Sequence, residues 1–212
     1  MNKFLRLFSL IISLFFIFKT HATIDTKSLI EVTDKNNPQC VEFYTYQNKL
    51  FCSTKPFNSS AINPNIKHYE TQTIVFDNRP WQAVWGEKTA TITTVEYVPA
   101  GDDINQWKEL VTSQFIPGIQ NKITLRQYVE ATVLQLKQSG ISPIINIIEE
   151  SPQQIIFEFI IPTPNHLKQD ELQIVRKAND GFYIVHYVIK SSDMGKENRQ
   201  KWIRNLQKSH IN

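Results

Sequence analysis

From residue 71 onward the chain alternates between period-two runs of β-branched and aromatic residues and stretches of helical spacing. Thr71 to Phe76 and Trp81 to Trp85 read as strands parted by the turn cluster Asp77-Asn78-Arg79-Pro80. Thr89 to Val98 reads as a third strand, stopped by Pro99-Ala100-Gly101. Ile104, Trp107, Leu110, Val111 and Phe115 then recur at spacings of three and four. That pattern predicts a helix capped by Asp102 or Asp103 and ended by Pro117-Gly118. Thr124-Leu125-Arg126-Gln127 is a capping box. It opens a second helix with Tyr128, Val129, Val133 and Leu136 on one face, and Gly140 stops it. Four further strands are predicted over Ile144 to Glu149, Ile155 to Ile161, Leu172 to Lys177 and Phe182 to Lys190. Asp180-Gly181 favours a tight turn between the last two. A final helix runs from Lys196 to Lys208, with Trp202, Ile203 and Leu206 on one side.

The segment Phe182 to Ile189 is apolar at both even and odd positions, so both of its faces are expected to be covered and the strand to be central. The order of elements predicts an α+β fold. It is a mostly antiparallel sheet covered by helices on both faces, an α/β/α sandwich, preceded by a disulfide-linked hairpin. The hairpin comes from Cys40 and Cys52, which flank two strand-like runs around Gln47-Asn48-Lys49. At that spacing in an exported chain the pair reads as a disulfide, with a redox or metal-binding thiol pair as the alternative.

Export is read from the first 22 residues. Lys3 and Arg6 precede an apolar run from Leu7 to Phe18, and Thr20-His21-Ala22 supplies a small residue for cleavage, the pattern of a signal peptide. An uncleaved anchor is the alternative. The 212 residues carry 23 Lys and Arg against 20 Asp and Glu; cleavage removes Lys3, Arg6 and Lys19 and leaves a neutral chain. The basic excess therefore belongs to the targeting segment, and no nucleic-acid partner is expected. The division is residues 1–22 signal peptide, 23–69 arm and hairpin, and 70–212 the α+β domain, in the periplasm or secreted from a bacterium. No membrane span is expected to remain after cleavage. The six glycines stand far apart, which excludes phosphate-cradling loops and dinucleotide fingerprints, and no cofactor is expected.

The hairpin Leu172 to Ile189, with Lys196-Glu197-Asn198-Arg199 and Trp202 to Leu206 after it, resembles the layout of the PsbP-like superfamily. Bacterial envelope proteins such as DcrB are among its members. The resemblance spans about Thr71 to His210; it implies one of a diverse, mostly non-catalytic set of roles and transfers no site residue. Tyr97 to Asp103 with Trp107 is also similar to uncharacterised exported proteins of Legionella-like bacteria.

Candidate chemistry is sparse. His68-Tyr69-Glu70 lacks further ligands for zinc, and no metal site is expected. His186 shares a strand face with Phe182, Ile184 and Val188, and Glu158 interrupts another apolar strand. If the two met on one sheet face they would form either a structural pair or the acid–base centre of a hydrolase. Trp81 and Trp85 share a side if their segment is a regular strand. With Tyr44 and Tyr46 they form either core or an aromatic platform for a glycan or peptide. The expected function is partner binding, to a protein or envelope component, with no catalytic residue assigned. The rival is a hydrolase using Glu158 and His186.

Overall fold

The structure is a computed structural model and describes residues 29–40, 42–46, 49–53 and 66–212. The expected signal segment and residues 54–65 of the expected arm and hairpin region lie outside the described residues. Near the N-terminus, β1 (Ile30–Val32), β2 (Glu42–Tyr46) and β3 (Lys49–Ser53) form an antiparallel sheet in the order β1-β3-β2. The expected hairpin is β2-β3, and a disulfide joins Cys40 to Cys52. β1 falls in what the sequence reads as a structureless arm. Three residues are too few to show a period, and the strand exists by pairing along β3.

After the one-turn helix α1 (Ile66–Tyr69) comes β4 (Gln72–Thr73), all that forms of the strand expected over Thr71 to Phe76. The main sheet then takes β5 (Trp81–Lys88), β6 (Thr93–Pro99) and β7 (Glu109–Pro117). Helix α2 (Leu125–Gln138) leads to β8 (Ile144–Glu150), β9 (Gln154–Ile161), β10 (Gln169–Lys177) and β11 (Gly181–Ile189). Helix α3 (Lys196–Lys208) and β12 (His210–Ile211) close the chain, with β12 paired to β4. The seven strands run β5-β6-β7-β11-β10-β9-β8, all antiparallel. β11 is therefore the middle strand and is buried along almost its whole length, as its two apolar faces predict.

Two corrections follow. Glu109–Pro117 is a strand and not the second half of a helix; only Ile104–Gln106 makes a 3-10 turn. Leu110, Thr112, Gln114 and Ile116 face one side of the sheet and Val111, Ser113 and Phe115 the other, and both sides are buried. A strand buried on both faces loses its polar–apolar alternation, so its apolar residues fell by accident at helical spacing. That single change overturns the expected α/β/α sandwich. The would-be helix sits inside the sheet beside β11, and α2 and α3 are the only helices longer than one turn among the described residues. The protein is a predominantly antiparallel, seven-stranded sheet with two flanking helices, not a sheet sheathed in helices.

The termini of α2 show why it forms where it does. The Gln127 amide donates to Thr124 Oγ1 at 3.1 Å, and the Thr124 amide donates to Gln127 Oε1 at 2.9 Å. At the other end Gly140 takes φ +79°, so its amide reaches the Lys137 carbonyl and that of Ile141 reaches Leu136. Leu125, Tyr128, Val129 and Leu136 pack on Phe157, Phe159, Phe182 and Ile184. On the opposite sheet face Trp202 and Leu206 of α3 pack on Ile156, Leu172, Ile174, Val185 and Tyr187. Each such buried side chain contributes about 1.5–3 kcal/mol.

Candidate functional site

His186 sits mid-strand in β11, opposite Thr112 of β7 and Gln173 of β10, and is 7% exposed. The same register places Thr94 and Glu96 of β6, Gln114 of β7 and Gln169 and Glu171 of β10 on that face, all buried. A row of polar side chains thus crosses four central strands inside the protein. Its hub is Glu171: Oε1 lies 2.7 Å from His186 Nδ1 and accepts from Gln173 Nε2 at 2.7 Å, and Oε2 accepts from Gln169 Nε2 at 3.1 Å. His186 Nε2 faces Gln114 Oε1 at 3.1 Å. The network centred on Glu171 offsets the roughly 1–3 kcal/mol that burial without partners costs each polar group, although Gln173 Oε1 and Glu96 are left without a partner among the described residues. It also occupies both ring nitrogens, leaving no free position from which the imidazole could serve a substrate.

Glu158 is not part of this row. It pairs with Leu172, which pairs with Tyr187, one residue out of phase with His186, so the two candidates lie on opposite sheet faces. The acid–base pair expected for a hydrolase is not formed. Glu158 instead accepts from Arg199 Nε of α3 at 2.5 Å and from Asn146 Nδ2 at 2.8 Å. Arg199 Nη2 also donates to Asp170 Oδ2 at 3.1 Å, and the Met194 amide donates to the same oxygen at 2.8 Å. Burial pushes the Asp170 carboxyl up to about 6. This is a clamp holding α3 to β9 and β10.

Trp81 is part of the core. It stacks on Phe76 and meets Trp202 edge-on, and its Nε1 donates to Asp77 Oδ1 at 3.0 Å. A bulge between Ala83 and Trp85 breaks the period of two, so Trp85 lies opposite Glu96 on the other face. The two tryptophans therefore do not make a shared platform, and the side chains of Tyr44 and Tyr46 lie outside the described residues. His68 is exposed, while the adjacent Glu70 turns inward to accept from Tyr97 Oη at 2.6 Å and Ser113 Oγ at 2.6 Å. Among the described residues no cluster of three or more His, Cys, Asp or Glu side chains is placed to hold a metal ion.

Sequence reading missed Glu171 and Gln114. The signal for Glu171 was present: Gln169, Glu171 and Gln173 alternate with Leu172 and Ile174, and a tight turn at Asp180-Gly181 pairs Gln173 with His186. Gln114 was hidden by the mistaken helix.

Glu96, also on this face, is 9% exposed and has no hydrogen-bond partner among the described residues. Burial alone raises its carboxyl to about 7 from 4.5. A folded-state pKa above the unfolded one means the folded protein holds the extra proton, so stability falls as pH rises between those values. Glu96→Gln removes this dependence. Relative to the parent, the variant is expected to gain roughly 2–3 kcal/mol between about pH 4 and pH 8, read from urea unfolding at both. A difference that stays constant with pH would refute the assignment.

Residues 70–212 match the model of an uncharacterised protein family. The chain belongs to that family. Nothing among curated proteins matches the chain. The family's span includes the whole seven-stranded sheet, the polar row and the Arg199 clamp, while the disulfide hairpin precedes it.

Proposed function

We propose that the chain is an exported, non-catalytic interaction protein of the bacterial envelope or secretome, and that it binds an extended segment of a partner polypeptide along β8. The open edge at β8 carries the reading. β8 is an end strand whose outer backbone groups have no strand partner among the described residues, and Ile144, Ile147 and Ile148 are 53%, 37% and 38% exposed. Soluble proteins guard such edges with charge, bulges or covering elements. The opposite edge, β5, follows that rule, with α1 lying over Gly86 and Glu87-Lys88 at its end. On β8 the apolar residues come first, and its guards, a bulge at Ile148 and the acids Glu149 and Glu150, come only toward the C-terminal end of the strand. An added strand would satisfy the backbone and cover the isoleucines. The signal-like start and the Cys40–Cys52 bond support export, and the PsbP-like likeness of the last hairpin and helix is part of the same proposal.

The test is a pull-down from envelope and culture-supernatant fractions with the mature protein, repeated with Ile144→Lys/Ile147→Lys and with a photocrosslinker at position 148. We expect a protein captured by the parent, lost with the double variant at unchanged melting temperature, and crosslinked through β8. Capture indifferent to the substitutions, or a double variant that alters only self-association in sedimentation, would overturn the partner reading.

A further inference from the structure

The exposed isoleucines of β8 do not share a face. Ile147 stands opposite Phe157, on the side of the sheet packed under α2. Ile144 stands opposite Ile160, on the side of Glu158 and α3. A helix row flanks each side. Arg126 of α2 reaches Glu150, and the row that starts there continues at i+4 steps through Glu130 to Leu134, itself 52% exposed. On α3 Arg199 reaches Glu158 and Gln207 reaches Glu149 at 3.0 Å, and the partly buried Ile203 lies midway between them on one row. The backbone edge of β8 thus opens between two helix rows, each with an apolar member.

Length and charge limit what this edge can take. Pro143 bounds the strand at its start, and the bulge at Ile148 interrupts regular pairing after Ile147. The regular part, Ile144 to Ile147, is short and carries no charge. Charge enters at the far end, where Arg126 pairs with Glu150 while Glu149 bonds to the amides of Gln154 and Gln207 and has no ion pair among the described residues. A strand this short buries far less than the roughly 1,200–2,000 Å² of a stable complex, so its binding is reversible and transient.

We propose that this edge accepts a stretch of unfolded polypeptide, apolar at successive positions with a basic residue beside the apolar run, so that the protein holds non-native chains transiently. This assignment rests on the strand-addition reading of β8. Directly opposite side chains on paired strands have Cβ atoms about 4.5–5.5 Å apart. A polar side chain opposite Ile144 or Ile147 would be buried without a partner or leave the isoleucine wet. The added segment therefore needs apolar residues on both of its faces. Strands at the surface of folded proteins alternate, and strands apolar on both faces are covered and out of reach. An unfolded chain offers such a run with its backbone free. A second copy of β8 is poorly matched: the two-fold pairing centred on Asn146, which covers Ile147 with Ile145, sets each copy's bulge against the other's Ile144. The acids at Glu149 and Glu150 favour lysine or arginine beside the run and disfavour another acid.

The test is fluorescence anisotropy of dye-labelled peptides with the mature protein. One peptide is a run of valine and isoleucine between terminal lysines. A second has serine at every other position of the run, and a third has glutamates in place of the lysines. We expect saturable binding of the first, roughly tenfold or more weaker for the serine peptide and for Ile144→Lys/Ile147→Lys, and about threefold weaker for the glutamate peptide. The parent should also slow aggregation of reduced, unfolded lysozyme, and the double variant should not. If the double variant fails to fold, Ile144→Ser alone serves, and it should narrow the gap between the first two peptides. Equal binding of the apolar and serine peptides, lost in the β8 variants, would overturn the unfolded-chain assignment and leave the strand-addition reading standing. So would a protein crosslinked through position 148 in the pull-down while no peptide binds. Peptide binding indifferent to the β8 substitutions would overturn both, as would a dimer in sedimentation that the double variant dissociates while no peptide binds.

Discussion

Replacing Arg199 with methionine is expected to lower stability by roughly 3–5 kcal/mol at neutral pH, the range seen when one partner of a buried ion pair is removed. The guanidinium holds three carboxylates, but they are unequal. Glu158 and Asp170 are buried beneath α3, with Asp170 fully inaccessible, whereas the Asp193 side chain is 69% exposed. Methionine keeps most of the apolar stem and leaves two carboxylates facing a low-dielectric interior. Protonation is their way out. Burial already raises the Asp170 carboxyl to about 6, and losing the cation raises it further, so the folded variant binds more protons than the unfolded chain. Stability lost at neutral pH should therefore be partly regained on acidification toward pH 4.5. Urea unfolding at both values measures this. Asp193→Ala is the control, and because that carboxylate is exposed its loss should leave stability essentially unchanged. A loss below about 1 kcal/mol in Arg199→Met, or one that does not change with pH, would show that α3 is held by Trp202 and Leu206 packing alone.

What could be read from the sequence divides along a physical line. Features that local chemistry fixes were legible: the Thr124 box, the Gly140 stop, the Asp180-Gly181 turn and the covered strand Phe182 to Ile189. Features that depend on which strand lies beside which were not. The facing of His186 along its own strand was correct, since a period of two is intrinsic. Its neighbour was not, because Glu158 and His186 are separated by β10, and one residue of register decides whether two side chains share a face. β7 shows the same limit in another form. Its Val111, Ser113 and Phe115 look onto one buried layer and Thr112 and Gln114 onto another, so polarity no longer marks inside from outside. Arg199 looked like any charge on the outer side of a helix, and only the packed structure shows what its long side chain reaches.

His186→Ala is expected to cost about 2–4 kcal/mol, combining the volume lost from a closed interior with the hydrogen-bonding imidazole withdrawn from its neighbours. Glu171 loses one of its three side-chain partners, and Gln114 Oε1 loses the imidazole facing it. The decisive quantity is coupling. In a double-mutant cycle His186→Ala and Glu171→Ala should interact by about 1–2 kcal/mol, since removing one side chain has already removed the other's partner. His186→Ala and Glu158→Gln should add to within about 0.5 kcal/mol, because they occupy opposite faces of the sheet with β10 between them. Urea unfolding of the parent, the three single variants and the two doubles gives both cycles. If His186 served chemistry instead of architecture, its site would tend to be tuned for activity at the expense of stability. Alanine there would then be close to neutral or stabilising. An unchanged or higher stability in both His186→Ala and Glu171→Ala would refute the structural reading of the polar row. Strong coupling between His186 and Glu158 would contradict the strand register itself.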